Sequence, residues 1–275
     1  MTTQDINAQR IYVDQPLGEG GTLDLSADHA NYLINVLRLT AGARILVFNG
    51  TDGEWACTLA ETGKRRARLQ VEFRVRAQAG GPDLHYLFAP LKRSRLDYMV
   101  QKAVEMGCAR LQPVITRYTV AERVNLDRMR ANVVEAAEQC GILRLADVGP
   151  PMKLVQVLAD WDSARRIVFC DEAAEPGSPI AALNALAGGP LAVLVGPEGG
   201  FSPEEREMLL ARSDTVALSL GPRIMRADTA AVAALALVNA TLGDWATLGD
   251  RATLCDRATL GDGATPGDRT EQGAT

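Results

Sequence analysis

A chain of 275 residues, 47% of them hydrophobic, can bury a full core in one large domain or two smaller ones, and its net charge of −5 gives no overall bias toward nucleic acid. No stretch approaches the roughly 18 consecutive apolar residues of a membrane span, and residues 1–10 lack the apolar core of a secretory signal, so a soluble, cytoplasmic protein with no membrane partner is expected. Five cysteines without a C-x-x-C pair and only two histidines, His29 and His85, argue against a disulfide framework, a metal site or a Ser-His-Asp triad.

The first part of the chain reads as short β-strands at residues 10–13, 44–48, 54–59 and 67–75, with a helix at 27–39. In the last strand Arg68, Gln70, Glu72, Arg74 and Arg76 alternate with Leu69, Val71, Phe73 and Val75, which predicts one wet and one apolar face, as in a small barrel or sandwich. Ala79, Gly80, Gly81 and Pro82 mark a boundary. The domains expected are therefore residues 1–78, residues 79–245 and a tail at 246–275.

Beyond the boundary strands and helices alternate. Apolar runs at 84–89, 111–115, 167–170, 191–195 and 216–220 are separated by helices that start at Ser94, span 126–140 up to Gly141, and lie near 179–186, 203–211 and 228–240. Such alternation predicts an α/β fold with a mainly parallel sheet covered on both faces, whose ligands sit beyond the carboxyl ends of the strands. From Ala240 to Arg269 a hexapeptide repeats five times (ATLGDW, ATLGDR, ATLCDR, ATLGDG, ATPGDR), and a disordered tail is expected there.

Between Lys64 and Arg110 eleven basic residues stand against four acidic ones. This excess suits either phosphate-backbone contacts or an ordinary solvated face. His29 and His85 read as a barrel residue and a strand residue rather than ligands, and Lys102 with Glu105 reads as an ion pair on one helix.

Two loops carry the chemistry. In the first, Gly196, Pro197, Glu198, Gly199, Gly200 and Phe201 join an apolar strand to a helix opened by Ser202, Pro203 and Glu205, a capping box with proline at the first helical position. In the second, Gly221, Pro222, Arg223, Ile224, Met225 and Arg226 precede a helix that Asp228 or Thr229 can cap. Glycines at these turns let a ligand approach main-chain amides, and two arginines beside Ile224 and Met225 suit a flat apolar group next to negative charge. Neither a G-x-G-x-x-G fingerprint nor a P-loop is present.

Taken together, LVGPEGGFSPEE at 194–205 and LGPRIMRADTA at 220–230 resemble the knotted SPOUT class of S-adenosyl-L-methionine-dependent RNA methyltransferases, and within it the 16S ribosomal RNA uracil-N3 methyltransferase family (RsmE). HANYLINVLRLTAGARILVFNGTDGEW is similar to that family's PUA-like RNA-binding β-barrel, LDYMVQKAVEMGCARLQPVITRYT to the opening of its catalytic domain, and EAAEQCG to a central helix. The resemblance implies a trefoil knot, a homodimer, and a cofactor held against Gly196, Gly200, Leu220, Gly221, Ile224 and Met225. It further implies methylation of uridine N3 in 16S ribosomal RNA, within the small ribosomal subunit. Arg226 is the first candidate to stabilise the uridinate, Arg223 the alternate, and Glu198 the candidate proton acceptor. Arg38, Lys92, Arg93 and Arg95 are the candidate RNA phosphate contacts. Asp228, Ile142 and Met225 stand where the family pattern usually has Glu, Arg and Leu. The rival readings are a knotted methyltransferase for transfer RNA or another RNA position, and a non-enzymatic RNA-binding protein.

Overall fold

The structure, a computed structural model, describes residues 8–63, 66–120, 123–175, 177–186 and 188–245. The expected tail at 246–275, and Lys64 and Arg65 of the basic run, lie outside the described residues.

The N-terminal unit is a five-stranded sheet of β1 (Gln9–Tyr12), β2 (Thr22–Asp24), β3 (Arg44–Phe48), β4 (Glu54–Gly63) and β5 (Arg66–Arg76), in the order β1-β3-β4-β5-β2. β1 and β3 are parallel; the other pairs are antiparallel. Ile11, Leu23, Ile45, Val47, Cys57, Leu59, Leu69 and Val71 form one core, and Ala30 and Leu33 pack into it. The helix that delivers those two is α1 (Ala27–Asn31), capped by Ser26, which runs into a π-helical turn at Tyr32–Val36. The expected single helix to residue 39 is therefore shorter and irregular, and Arg38 just beyond it adopts φ 56°.

The expected alternation in β5 holds only to Val71. Register shifts between β4 and β5 insert extra residues, so Ala56 faces Phe73 while Cys57 faces Val71. A bulge of this kind turns the side chains beyond it. Phe73 is exposed beneath the Arg44 guanidinium, and Arg76 turns inward.

The C-terminal unit is a parallel sheet of β6 (Leu84–Phe88), β7 (Arg110–Ile115), β8 (Asp147–Val148), β10 (Arg166–Cys170), β11 (Leu191–Val195) and β12 (Thr215–Leu218), in the order β12-β10-β11-β6-β7-β8, with β9 (Met152–Lys153) paired to β7. Its strands are apolar on both sides because helices cover both faces. Leu84, Tyr86, Phe88, Leu191, Val193 and Val195 pack under α2 (Arg93–Glu105), α3 (Leu126–Cys140), α5 (Pro179–Asn184) and α7 (Ala227–Thr241). Leu87, Ala192, Leu194, Ile167 and Phe169 pack on the other face against α4 (Leu154–Ala159) and α6 (Pro203–Leu210). Two starts differ from expectation. Lys92 rather than Ser94 is the N-cap residue of α2, and Arg226, not Asp228 or Thr229, is that of α7, where the Asp228 carboxylate only accepts from the next amide.

The units meet over a buried carboxylate. Glu54, fully inaccessible, accepts from Arg10 Nε at 2.6 Å and from Arg76 Nε at 2.7 Å. The same guanidinium groups donate to the Glu138 and Gly141 carbonyls, and Glu138 accepts from the Tyr12 amide at 2.8 Å. Gly141 closes α3 in the left-handed conformation, and a Cβ there would lie 3.3 Å from Arg10 Cζ. Beside this polar joint Phe48 packs on Ala137 and Leu143, with Tyr12, Ile142 and Leu145 around them. Ile142 thus has a packing role at the seam.

Candidate active site

Strand order decides where the two glycine loops go. β10 lies between β11 and β12, and all three run parallel, so the chain after each emerges at one edge. There the loops enclose a cavity of about 420 Å³, within the range of small-molecule sites. Gly196, Gly200, Leu220, Gly221, Ile224 and Met225 all line it, and so do Glu198, Arg223 and Arg226. The third wall, Cys170 to Ala173 after β10, was missed in the sequence. Its signal was Asp171 and Glu172 directly after an apolar run.

The glycines are required by space as well as by backbone angle. A Cβ on Gly196 would run into the Phe201 ring. At Gly200, φ is 69° and a Cβ would lie 2.6 Å from Glu172 Oε1; at Gly221, φ is 105°. Downstream, Ser202 and Glu205 make the expected capping box, with Pro203 in the first turn of α6. Arg206 on α6 donates to Asp171 at 2.8 Å and Asp171 accepts from the Ala173 amide at 3.0 Å, which ties the β10 loop to the helix that follows the first glycine loop.

Leu218, Leu220 and Met225 supply apolar lining, and Ile224, which also lines the cavity, is 90% exposed. The lining also includes the polar groups Asp171, Glu172, Glu198, Arg206, Arg223 and Arg226. Arg226 and Arg223 are exposed and make no ion pair among the described residues. Arg226, at the N-cap of α7, uses no side-chain hydrogen bond for capping, so its guanidinium is available to a ligand, and the helix terminus adds partial positive charge. Burial pushes the Cys170 thiol up to about 12, which excludes it as a nucleophile at neutral pH. These features fit a nucleoside-containing cofactor: an apolar slot for a flat ring, glycines for close backbone approach, and the carboxylate of Glu172 beside Gly200.

Of the candidate RNA contacts, Arg95 is brought to this site, where its Nη1 donates to Glu198 Oε1 at 2.5 Å. Lys92 is exposed at the start of the same helix, and Arg93 is the first residue of α2, its side chain outside those described. Arg38 sits in the N-terminal unit and does not line the cavity. Much of the basic run is neutralised locally. Arg68 pairs with Asp24 and Glu61, Arg76 with Glu54, Lys102 with Glu105 as expected, and Arg110 with Asp147. His29 and His85 lie away from the cavity. Burial lowers both, His85 to about 4 with Arg165 adding to the effect, so neither is charged at neutral pH.

A parallel α/β domain with a loop-built cavity, joined to a small β domain, is the architecture of a class that the comparisons identify as two-domain RNA methyltransferases. The RNA methyltransferase domain family matches residues 80–239, and the RNA methyltransferase PUA domain family matches residues 25–72. The chain is 30% identical to the ribosomal RNA small subunit methyltransferase E of Rickettsia conorii, over 83% of this chain and 94% of the relative. It is 28% identical to the protein of that name from Bacillus subtilis, over 84% and 96%. The structure of the Neisseria gonorrhoeae ribosomal RNA small subunit methyltransferase E bound to S-adenosyl methionine superposes with a TM-score of 0.78 at 26% identity, covering 86% of this chain and 99% of the other. A Legionella pneumophila putative methyltransferase in complex with the same cofactor gives 0.75 at 25% identity, with 86% and 99% covered. The chain belongs to the ribosomal RNA small subunit methyltransferase E family.

Proposed function

We propose that the protein transfers a methyl group from S-adenosyl-L-methionine to N3 of a uridine in 16S ribosomal RNA, acting on the small ribosomal subunit in the cytoplasm. The observation that carries this reading is that both glycine loops line one cavity, with Arg226 and Glu198 among its lining residues. When bound, the cofactor supplies an electrophilic methyl group on a sulfonium.

The protein must then align a uracil with that methyl group, accept the N3 proton and stabilise the charge left between two carbonyls. Arg226 stabilises the uridinate, aided by the start of α7; Arg223 is the alternate. Glu198 accepts the proton. Arg95 holds the Glu198 carboxylate at 2.5 Å, and an RNA phosphate that draws Arg95 away frees it. Lys92, Arg93 and Arg38 add phosphate contacts.

The protein acts as a homodimer. After Asp228, α7 contains no charged residue, and Val232, Ala233, Ala236 and Leu237 form a half-buried apolar stripe on it that a second copy would cover. Calorimetric titration with the cofactor, followed by methyl transfer to small ribosomal subunits from a deletion strain, tests the proposal. N3 methylation blocks Watson-Crick pairing, so a reverse-transcription stop present in wild-type 16S RNA should vanish in the deletion strain. A persistent stop refutes the assignment.

A further inference from the structure

Facing the first glycine loop is a turn at residues 116–119. Thr119 Oγ1 accepts from the Thr116 amide at 2.9 Å and pairs with the Thr116 hydroxyl at 2.9 Å, while the Thr119 amide donates to the Thr116 carbonyl at 3.2 Å. The Arg117 amide donates at 2.8 Å to Glu205, the same carboxylate that completes the α6 capping box. The turn is therefore fixed to the element that starts directly after the catalytic loop. Glu198 and Gly200 line the cavity but Gly199 does not, and a Cβ on Gly199 would lie 3.2 Å from Tyr118 Cβ. Tyr118 thus sits one loop thickness from the cavity.

The residue is 46% exposed, and its hydroxyl has no hydrogen-bond partner among the described residues. Two other exposed aromatic rings are covered by cations, Phe73 by Arg44 and Tyr98 by Lys102, and exposed Trp245 lies at the far end of the described residues. Tyr118 has no such cover among the described residues, and exposed Arg117 and Arg123 flank it in sequence.

We propose that Tyr118, presented by the braced 116–119 turn, is a stacking platform for an unpaired RNA base next to the methylated uridine. The inference rests on the RNA-methyltransferase reading above. N3 lies on the pairing edge of uracil, so the target base must leave its pair and its stack, and its neighbour loses a stacking partner. Single-stranded RNA is held by aromatic faces that replace such partners, with guanidinium groups on the adjoining phosphates. A tyrosine on a fixed turn does this with little side-chain entropy to lose.

The test uses the full chain, a fluorescein-labelled single-stranded RNA containing uridines, and fluorescence anisotropy. Y118A should weaken RNA binding about tenfold, the scale of one base-aromatic stack. Y118F should bind like wild type, and cofactor affinity by calorimetry should be the same in all three. Equal RNA affinity of Y118A and wild type would overturn the inference. So would a Y118A variant that sediments as a smaller species while still binding RNA normally, which would make Tyr118 a subunit contact. Failure of the wild type to bind the RNA would overturn it as well. A wild type that binds the RNA but transfers no methyl group to small subunits would sink the enzymatic reading alone, and the anisotropy result would still decide the role of Tyr118.

Discussion

Replacing Glu54 by alanine should destabilise the protein more than any other single change at the seam between its two units. Glu54 is 0% exposed, whereas its partners Arg10 and Arg76 are 21% and 37% exposed. Breaking a buried ion pair by removing one partner costs about 3–5 kcal/mol, because the remaining charge is left buried. Here both arginines keep a carbonyl acceptor, at Glu138 and Gly141, and both reach some water, so the lower end of that range applies. A loss of about 3 kcal/mol lowers the melting temperature of a chain this size by roughly 6–12 °C. Scanning calorimetry at neutral pH measures it. The pH dependence supplies an internal check. Burial pushes the Glu54 carboxyl up, but the hydrogen bonds from Arg76 and then Arg10 outweigh it and hold the group below its ordinary value. A depressed value in the folded state means that the stabilisation is present above the unfolded value, near 4.3, and disappears as pH falls through the folded one. The gap between wild type and Glu54→Ala should therefore be full at neutral pH and narrow in acid. An unchanged melting temperature, or a gap that widens as pH falls, would refute the argument.

Three substitutions probe the cavity. Arg226→Ala should lower turnover at least about a hundredfold with cofactor affinity unchanged in calorimetry, as expected for a group that meets charge only in the transition state; equal loss of cofactor binding would assign it to the ligand instead. Gly200→Ala, which combines φ 69° with a Cβ 2.6 Å from Glu172, should weaken cofactor binding at least about tenfold, and wild-type affinity would show that the loop yields freely. Glu198→Gln should lower turnover about a hundredfold with cofactor affinity unchanged, whereas retained turnover would exclude Glu198 as the proton acceptor.

The strand and helix content of the C-terminal unit was legible because its strands are short apolar runs and its helices carry strong end signals, such as Ser202 with Glu205 and Gly141 after Cys140. The two glycine loops were legible for the same reason. Periodicity carries no information on strand order, so nothing in it showed that β10 lies between β11 and β12 and brings Asp171 and Glu172 into the cavity. The short elements at 147–148, 152–153 and 154–159 are too brief for a periodic signal. In β5 the alternation predicts the two faces as far as Val71, but a bulge depends on the partner strand and leaves no local mark. The strong basic character of residues 64–110 also misleads when read alone, because the acids that neutralise it, such as Asp24, Glu54 and Asp147, are mostly distant in sequence.

The placement of β12 at the sheet edge beside β10 sets a timetable. A ribosome making this chain produces the β10 and β11 walls of the cavity first, and the wall of Leu220, Gly221, Ile224 and Met225 only afterwards. A nascent chain that ends before Ala227 holds at most an open trough, since α7, which packs against the core under β11, is still missing. Affinity for the cofactor should thus arise in one late step of synthesis, and a ligand bound across all three loops would clasp the last-made strand to those made before it.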